Sequence, residues 1–242
     1  KETLALIKGA VKMELFHRLS GQRLLDELRL LFSERTPRQA VRRLADLDLL
    51  RFLHPTLTWS VRLDRRLSDL EAALDWYRLS CLDRTLNEWV VYAMALAEIM
   101  PDQAVREMLA RFPFTEAERT AITQARFLTQ PVCRTLTRRA PLRPSDTVAI
   151  LAGLSEECLV FLLAKNASNT AKRYLSQYLT TYRDVKPALT GKALQALGLK
   201  PGPEYRTILE RLTEARLNGE VQSEAEEQAL VKELIARRRS PA

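Results

Sequence analysis

Asp46 and Asp48 stand two residues apart, the spacing at which paired carboxylates on a β-strand hold divalent metal ions. Their surroundings argue against that chemistry. The run from Arg42 to Leu50 has a helical pattern, and side chains at i and i+2 of a helix point apart. The chain holds only two histidines, His17 and His54, and three widely separated cysteines, Cys81, Cys133 and Cys158. The cysteines suggest neither a disulfide framework nor a zinc knuckle; they read as reduced thiols in or near a core. No nucleophile–base pair and no metal cluster emerges, so no catalytic residue and no metal ligand is assigned. His54, just before Pro55, reads as a helix end, and Arg23 with Glu27 at i, i+4 as a bracing ion pair.

Residues 189–219 offer a different chemistry, that of holding a phosphate. Thr190 is placed to cap a short helix. Gly198 falls where a left-handed residue ends it, with Leu194 and Leu199 spaced for the apolar contact of a Schellman motif. Lys200-Pro201-Gly202 forms a tight turn, and Pro203 opens a new helix at its first position, where a missing N–H costs nothing. Tyr205, Ile208, Leu209 and Leu212 then face a core, and Gly219 stops the helix. A glycine turn beside a helix N-terminus presents backbone N–H groups and a positive dipole end to an anion. Lys192 and Lys200 flank the turn and Arg206 lies one turn into the helix.

The charge pattern agrees with an anionic partner. The 242 residues carry a net charge of +8, in alternating blocks. Residues 1–66 hold 14 basic and 8 acidic side chains, 111–145 hold 7 and 2, and 165–216 hold 10 and 4. The blocks between them are acidic. A polyanion touching several separate segments suits this layout.

The elements that position these groups are helices. Leu, Ala, Arg and Glu dominate and only 7 residues are glycine, few for a sandwich, barrel or phosphate-loop fold. No apolar run approaches the roughly 20 residues of a membrane span, and the charged N-terminal stretch is no signal peptide; a cytoplasmic protein is expected. Apolar spacings of three and four recur throughout. Leu4, Ile7, Val11 and Leu15 line a first helix. Ser20 caps a second that carries Leu24, Leu25, Leu28, Leu31 and Phe32. Pro37 opens a third, and Leu47, Leu50 and Leu53 continue the pattern to His54-Pro55. Residues 64–80, 84–99 and 168–184 form longer helices, the first two with Trp76, Trp89 and Tyr92 on the buried side. Residues 131–144, with three prolines and four arginines, read as a hinge or surface loop. The expected fold is all-α, an irregular multi-helix array joined by short loops.

The run from Thr190 to Pro203 resembles the Thr-Gly-Lys-x-Leu-x-x-Leu-Gly-Leu-x-Pro-Gly-Pro motif of bacterial class II tRNA nucleotidyltransferases and poly(A) polymerases. The Leu-x-Glu-Ala-Arg-Leu-Asn-Gly run at 212–219 continues it. A second resemblance covers residues 16–57, through Arg18-Leu19-Ser20-Gly21-Gln22-Arg23, Glu27-Leu28, Ala45 to Leu50 and His54-Pro55. Its wording is closest to members whose polymerase follows DHH-type and CBS domains, several of which add adenosines rather than a whole CCA end. The resemblance implies a start of neck and body over 1–66, a helical body over 67–165 and a tail over 166–242. It implies that the chain is the tRNA-gripping part, which positions the acceptor 3′ end for CCA or terminal A addition by a catalytic head. The family's Gly-Ser dipeptide, strand-borne carboxylates and Glu-Asp-x-x-Arg motif do not occur here. No cofactor is therefore expected in this chain, with Mg²⁺ and ATP or CTP belonging to the head. The expected RNA contacts are Lys192, Lys200, Gly202 and Arg206, followed by Lys172, Arg173 and Arg216. The alternative is a helical protein–protein or dimerisation module, with a homodimer among its assemblies.

Overall fold

The computed structural model describes residues 2–138, 141–166, 168–197, 199 and 202–239, with the backbone alone for 237–239. Among the described residues there are fourteen α-helices, three short 3-10 turns and no strand. Among the described residues no single helix is long and apolar enough to cross a membrane. The chain divides into two compact units, one of residues 1–137 and 154–175, the other of 138–153 and 176–242. Position 66 lies inside a helix of the first unit.

The first unit begins with α1 (Glu2–Lys12), α2 (Gly21–Phe32), α3 (Pro37–Asp46), α4 (Val61–Leu79), α5 (Glu88–Ile99), α6 (Asp102–Arg111), α7 (Glu116–Phe127) and α8 (Thr129–Leu136). It is completed by α10 (Glu156–Lys165) and the first half of α11 (Asn169–Thr180). Its core is α5, buried on every face from Trp89 to Glu98, with α4, α7 and α10 packed around it. That all-round burial follows from a helix whose only charges after Glu88 are delayed to Glu98. Local signals place the helix starts. Ser20, Ser60 and Ser155 each accept the N–H three residues on, and Thr115 with Glu118 forms a reciprocal capping box.

Several boundaries differ from the expectations, each for a local reason. Leu15 lies beyond α1, because Glu14 turns left-handed at φ 57°. The pattern after Asp46 breaks at Asp48, also left-handed at φ 57°. The N–H of Asp48 bonds Ala45 at 3.0 Å and that of Leu49 bonds Leu44 at 2.8 Å, a Schellman ending built on aspartate. The expected 84–99 helix starts only at Glu88, and the 168–184 helix stops at Thr180 before a 3-10 turn at Tyr182–Asp184. Residues 131–136 are helical: Pro131 sits in the first turn of α8, where its missing N–H has no helical acceptor to lose. No ion pair joins Arg23 to Glu27. Gln22 instead donates to Asp26 at 2.9 Å, and Arg29 reaches Glu118 at 3.2 Å. Trp89 is buried, while Trp59 and Trp76 are half-buried.

A buried ionic centre, invisible in the sequence, ties three helices of this unit. Glu98 of α5 accepts from Arg66 of α4 at 2.6 Å and pairs with Lys165 of α10 at 3.1 Å. Lys165 also donates to Thr129, and Arg66 to the Ala164 carbonyl, both at 2.9 Å. These bonds satisfy most donors that burial would otherwise strand.

The second unit contains α9 (Pro144–Leu151), the second half of α11, α12 (Gly191–Ala196), α13 (Pro203–Leu217) and α14 (Glu224–Arg239). Leu189, Leu194, Ile208, Leu212 and Val231 form its core, with Leu199, Tyr205 and Leu209 packed at the margin.

Candidate nucleic-acid interface

The 189–219 segment folds as two helices joined by a short corner. Thr190 occupies the position before α12, but its side chain makes no capping bond. At the other end the Leu199 N–H bonds the Leu194 carbonyl at 3.2 Å, the long bond of a Schellman motif, and both leucines pack on one core. Gly198, Lys200 and Pro201 lie outside the described residues.

Tyr205 holds the corner closed. Its hydroxyl donates to the Leu199 carbonyl at 2.9 Å, and its ring lies over Gly191. Pro203 is the first residue of α13, as its lack of an N–H favours. Gly202 before it is extended and exposed, and its carbonyl accepts from Tyr205 at 3.0 Å. The far end of α13 is a complete Schellman motif. Gly219 is left-handed at φ 73° and bonds Arg216 at 3.2 Å, while Glu220 bonds Ala215 at 2.8 Å.

The expected contact residues fall into three groups. Lys192 is exposed in the first turn of α12 and has no ion-pair partner among the described residues. A cation there opposes the helix dipole, which does not stabilise it. Arg206 is exposed on the first turn of α13 and pairs with Glu210 at 2.8 Å, which raises its already high pKa. That i, i+4 pair is open to solvent and yields readily to a phosphate. Lys172 and Arg173, both exposed on α11, belong to the first unit, with the Arg173 guanidinium 5.7 Å from the Tyr174 ring centre.

Arg216 forms the third group. Its Nη1 donates to Glu227 Oε1 at 2.5 Å, inside the second unit. Glu227 is fully buried, and its two oxygens also accept the N–H groups of Ala188 at 3.1 Å and Leu189 at 2.9 Å. The carboxylate thus fixes the strand of chain that leads into Thr190. Only the position of Glu227 in the first turn of α14 hinted at it. Asn218 has a comparable role. Its side-chain carbonyl accepts from Ser145 at 3.2 Å at the start of α9. Beside it, Arg211 bonds Glu220 at 2.6 Å and holds that carboxyl below its usual range.

Among the described residues, no group of three or more His, Cys, Asp or Glu is placed to hold a metal ion. His54 bonds Thr56 through Nδ1 at 2.8 Å and Glu107 through Nε2 at 3.0 Å. Nδ1 also accepts the Thr56 N–H at 3.2 Å. Cys158 is buried and its thiol is pushed up to about 12 by that burial.

Residues 1–59 match the family described as the probable RNA and SrmB-binding site of polymerase A. An A-adding tRNA nucleotidyltransferase of Geobacter sulfurreducens is 37% identical over 231 residues, 94% of this chain and 26% of that protein. A Thermotoga maritima CCA-adding enzyme solved in complex with tRNA matches with a TM-score of 0.77 and 22% identity, over 97% of this chain and 56% of that one. An apo CCA-adding enzyme matches with a TM-score of 0.76 and 21% identity, over 98% and 54%. At these identities the likeness to the solved structures is one of fold. The chain spans about a quarter of the length of the curated relative, at 26%, and just over half of the solved chains.

Proposed function

Because the chain belongs to the tRNA nucleotidyltransferase family as its helical body-and-tail region, we propose that it grips tRNA and so sets where the acceptor 3′ end lies for nucleotide addition. The observation that carries this reading is the 37% identity sustained over 231 residues with the A-adding relative. Lys192, exposed and without an ion-pair partner among the described residues, supports it, as does the bond from Tyr205 to Leu199.

A-form RNA offers phosphates and 2′-hydroxyls more readily than base edges, so lysines, arginines and backbone N–H groups are its natural partners. In this reading Lys192, Lys200, Gly202 and Arg206 contact the RNA backbone, with Lys172 and Arg173 as further contacts. Arg216 contributes by holding the Lys192 approach through Glu227. Gripping the substrate far from its reacting end turns binding energy into position, and that is this region's share of catalysis. The chemistry, terminal A or CCA addition with Mg²⁺ and ATP or CTP, belongs to a catalytic head of the parent protein.

A fluorescence titration of this chain with tRNA, and with single-stranded RNA of equal length, at two salt concentrations tests the reading. Salt-sensitive binding that favours tRNA is expected; equal or absent binding at low salt overturns it. One observation favours an added protein contact. Leu6, Met13 and Leu30 are 74%, 64% and 66% exposed within the first thirty residues. They would meet the protein's own catalytic head or, in a homodimer, a second copy; a mass independent of concentration would dismiss the homodimer.

A further inference from the structure

A cleft of about 1060 Å³ opens in the first unit between the start of α3, α4 and the first turn of α5. Its size is ample for a small-molecule site. Much of its charge is already paired. Arg38 donates to both oxygens of Asp64, at 2.7 and 2.9 Å, and Arg78 donates to both oxygens of Glu88.

Three kinds of group remain. Glu71 is half-buried and has no ion-pair partner among the described residues. Arg35 and Arg42 stand exposed at the rim without an ion-pair partner among the described residues, the Arg42 guanidinium 5.9 Å from the Trp59 ring centre, and Glu34 lies on the same rim. Tyr92 is 3% exposed, yet its hydroxyl makes no hydrogen bond among the described residues. Its ring is buried, but the hydroxyl oxygen keeps solvent exposure where Tyr92 lines the cleft. The hydroxyl stays protonated: burial first, then the charge of Glu71, pushes it up to about 12. It can therefore donate or accept.

We propose that this cleft binds a nucleoside monophosphate unit bearing an exocyclic amino group, with the amino edge on Glu71 and the Tyr92 hydroxyl and the phosphate against Arg35 and Arg42. A carboxylate and a hydroxyl lining one cleft can both accept from an amino group, and a carboxylate acceptor is how acidic side chains read cytosine. Guanidinium groups suit phosphate. The mixed lining disfavours simpler ligands, since a bare cation meets Arg35 and Arg42 at the rim and a bare anion meets Glu71 within. The unit is either a free nucleotide or one splayed out of an RNA strand, as single-stranded RNA is commonly read. The inference concerns the first unit alone and does not depend on the tail contacts.

The test is calorimetric titration of the chain with AMP and CMP, and with UMP and inosine monophosphate as comparators lacking the amino group. The same titrations follow on Tyr92→Phe, which breaks no internal hydrogen bond, and on Glu71→Gln, both checked for unchanged melting. AMP and CMP should bind in preference, and each variant should weaken them by about threefold to tenfold. Repeating the series with a short adenosine-rich single-stranded RNA separates the sources. A parallel loss identifies a nucleotide of bound RNA, and an unchanged RNA affinity identifies a free nucleotide. Equal binding of all four monophosphates, no binding, or indifference to both variants overturns the proposal.

Discussion

Arg216 and Glu227 are joined at 2.5 Å in a brace whose carboxylate is fully buried. The same carboxylate takes the N–H groups of Ala188 and Leu189, so one acid links α13, α14 and the approach to α12. Glu227→Ala leaves a guanidinium and two backbone donors without their acceptor. Breaking such a buried pair typically costs about 3–5 kcal/mol. Urea denaturation of the chain should show a clearly lowered midpoint for the second unit. An unchanged midpoint would remove the brace from the account.

Gly21 is fixed by close approach rather than by its dihedral angles. A Cβ at that position would lie 2.4 Å from the carbonyl oxygen of Arg111, at the end of α6. Since the obstacle is backbone, no side chain can swing aside. Gly21→Ala should destabilise the first unit by about 1–3 kcal/mol, the usual range for overpacking. The thermal midpoint reports it; a neutral or stabilising effect would contradict the packing of α2 on α6.

Asp48 offers the opposite case. It holds a left-handed conformation at φ 57° that glycine adopts without strain. Its ion pair with Arg51, at 2.9 Å, is open to solvent and contributes little. Relief of about 1–2 kcal/mol of left-handed strain is partly offset by the greater freedom glycine gives the unfolded chain, about 0.4–1 kcal/mol, so Asp48→Gly should raise stability by about 0.5 kcal/mol. A lowered melting temperature would mean that the Arg51 contact outweighs the backbone gain.

These cases show what was legible in the sequence. The Ser20 cap, the helix start at Pro203, the Leu194–Leu199 contact and the stop at Gly219 were readable, because each depends on residues within a turn of one another. Gly21 with Arg111, and Glu98 with Arg66 and Lys165, were not, because their partners meet only after the chain has folded back. Arg216 looked like a surface cation for the same reason. The three-and-four spacing of its helix gives no sign that an acid of another helix will bury against it. The spacing of Arg23 and Glu27 suggested a pair, yet the acids that this face meets are Asp26 and Glu118.

Glu98 makes the first unit sensitive to acid. Burial pushes its carboxyl up, but the hydrogen bond from Arg66 and the charges of Arg66 and Lys165 outweigh it, and the group titrates below its ordinary 4.5. A carboxylate depressed in the folded state stabilises it above the unfolded pKa, and that stabilisation fades as pH falls through the folded value. Stability should thus decline as pH drops below the ordinary 4.5. Glu98→Gln should flatten this acid limb and lower the neutral plateau by about 3–5 kcal/mol, since Arg66 and Lys165 lose their anion. An acid limb of the same steepness in the variant would assign the effect to other carboxylates.

Lys192 and Arg206 carry the most direct test of RNA contact. A phosphate contact contributes counterion release, so removing one lowers the salt dependence of binding by about one ion per site. Lys192→Glu and Arg206→Glu should each weaken tRNA binding and flatten its dependence on salt, with melting temperatures close to the parent. Breaking the exposed Arg206–Glu210 pair costs only a few tenths of a kcal/mol. Arg216→Glu would also lose binding, but by placing a second carboxylate against Glu227 and loosening the fold. The contrast separates contact from scaffold. Charge reversal at Lys192 and Arg206 that leaves both affinity and salt slope unchanged would move the RNA surface away from the α12–α13 corner.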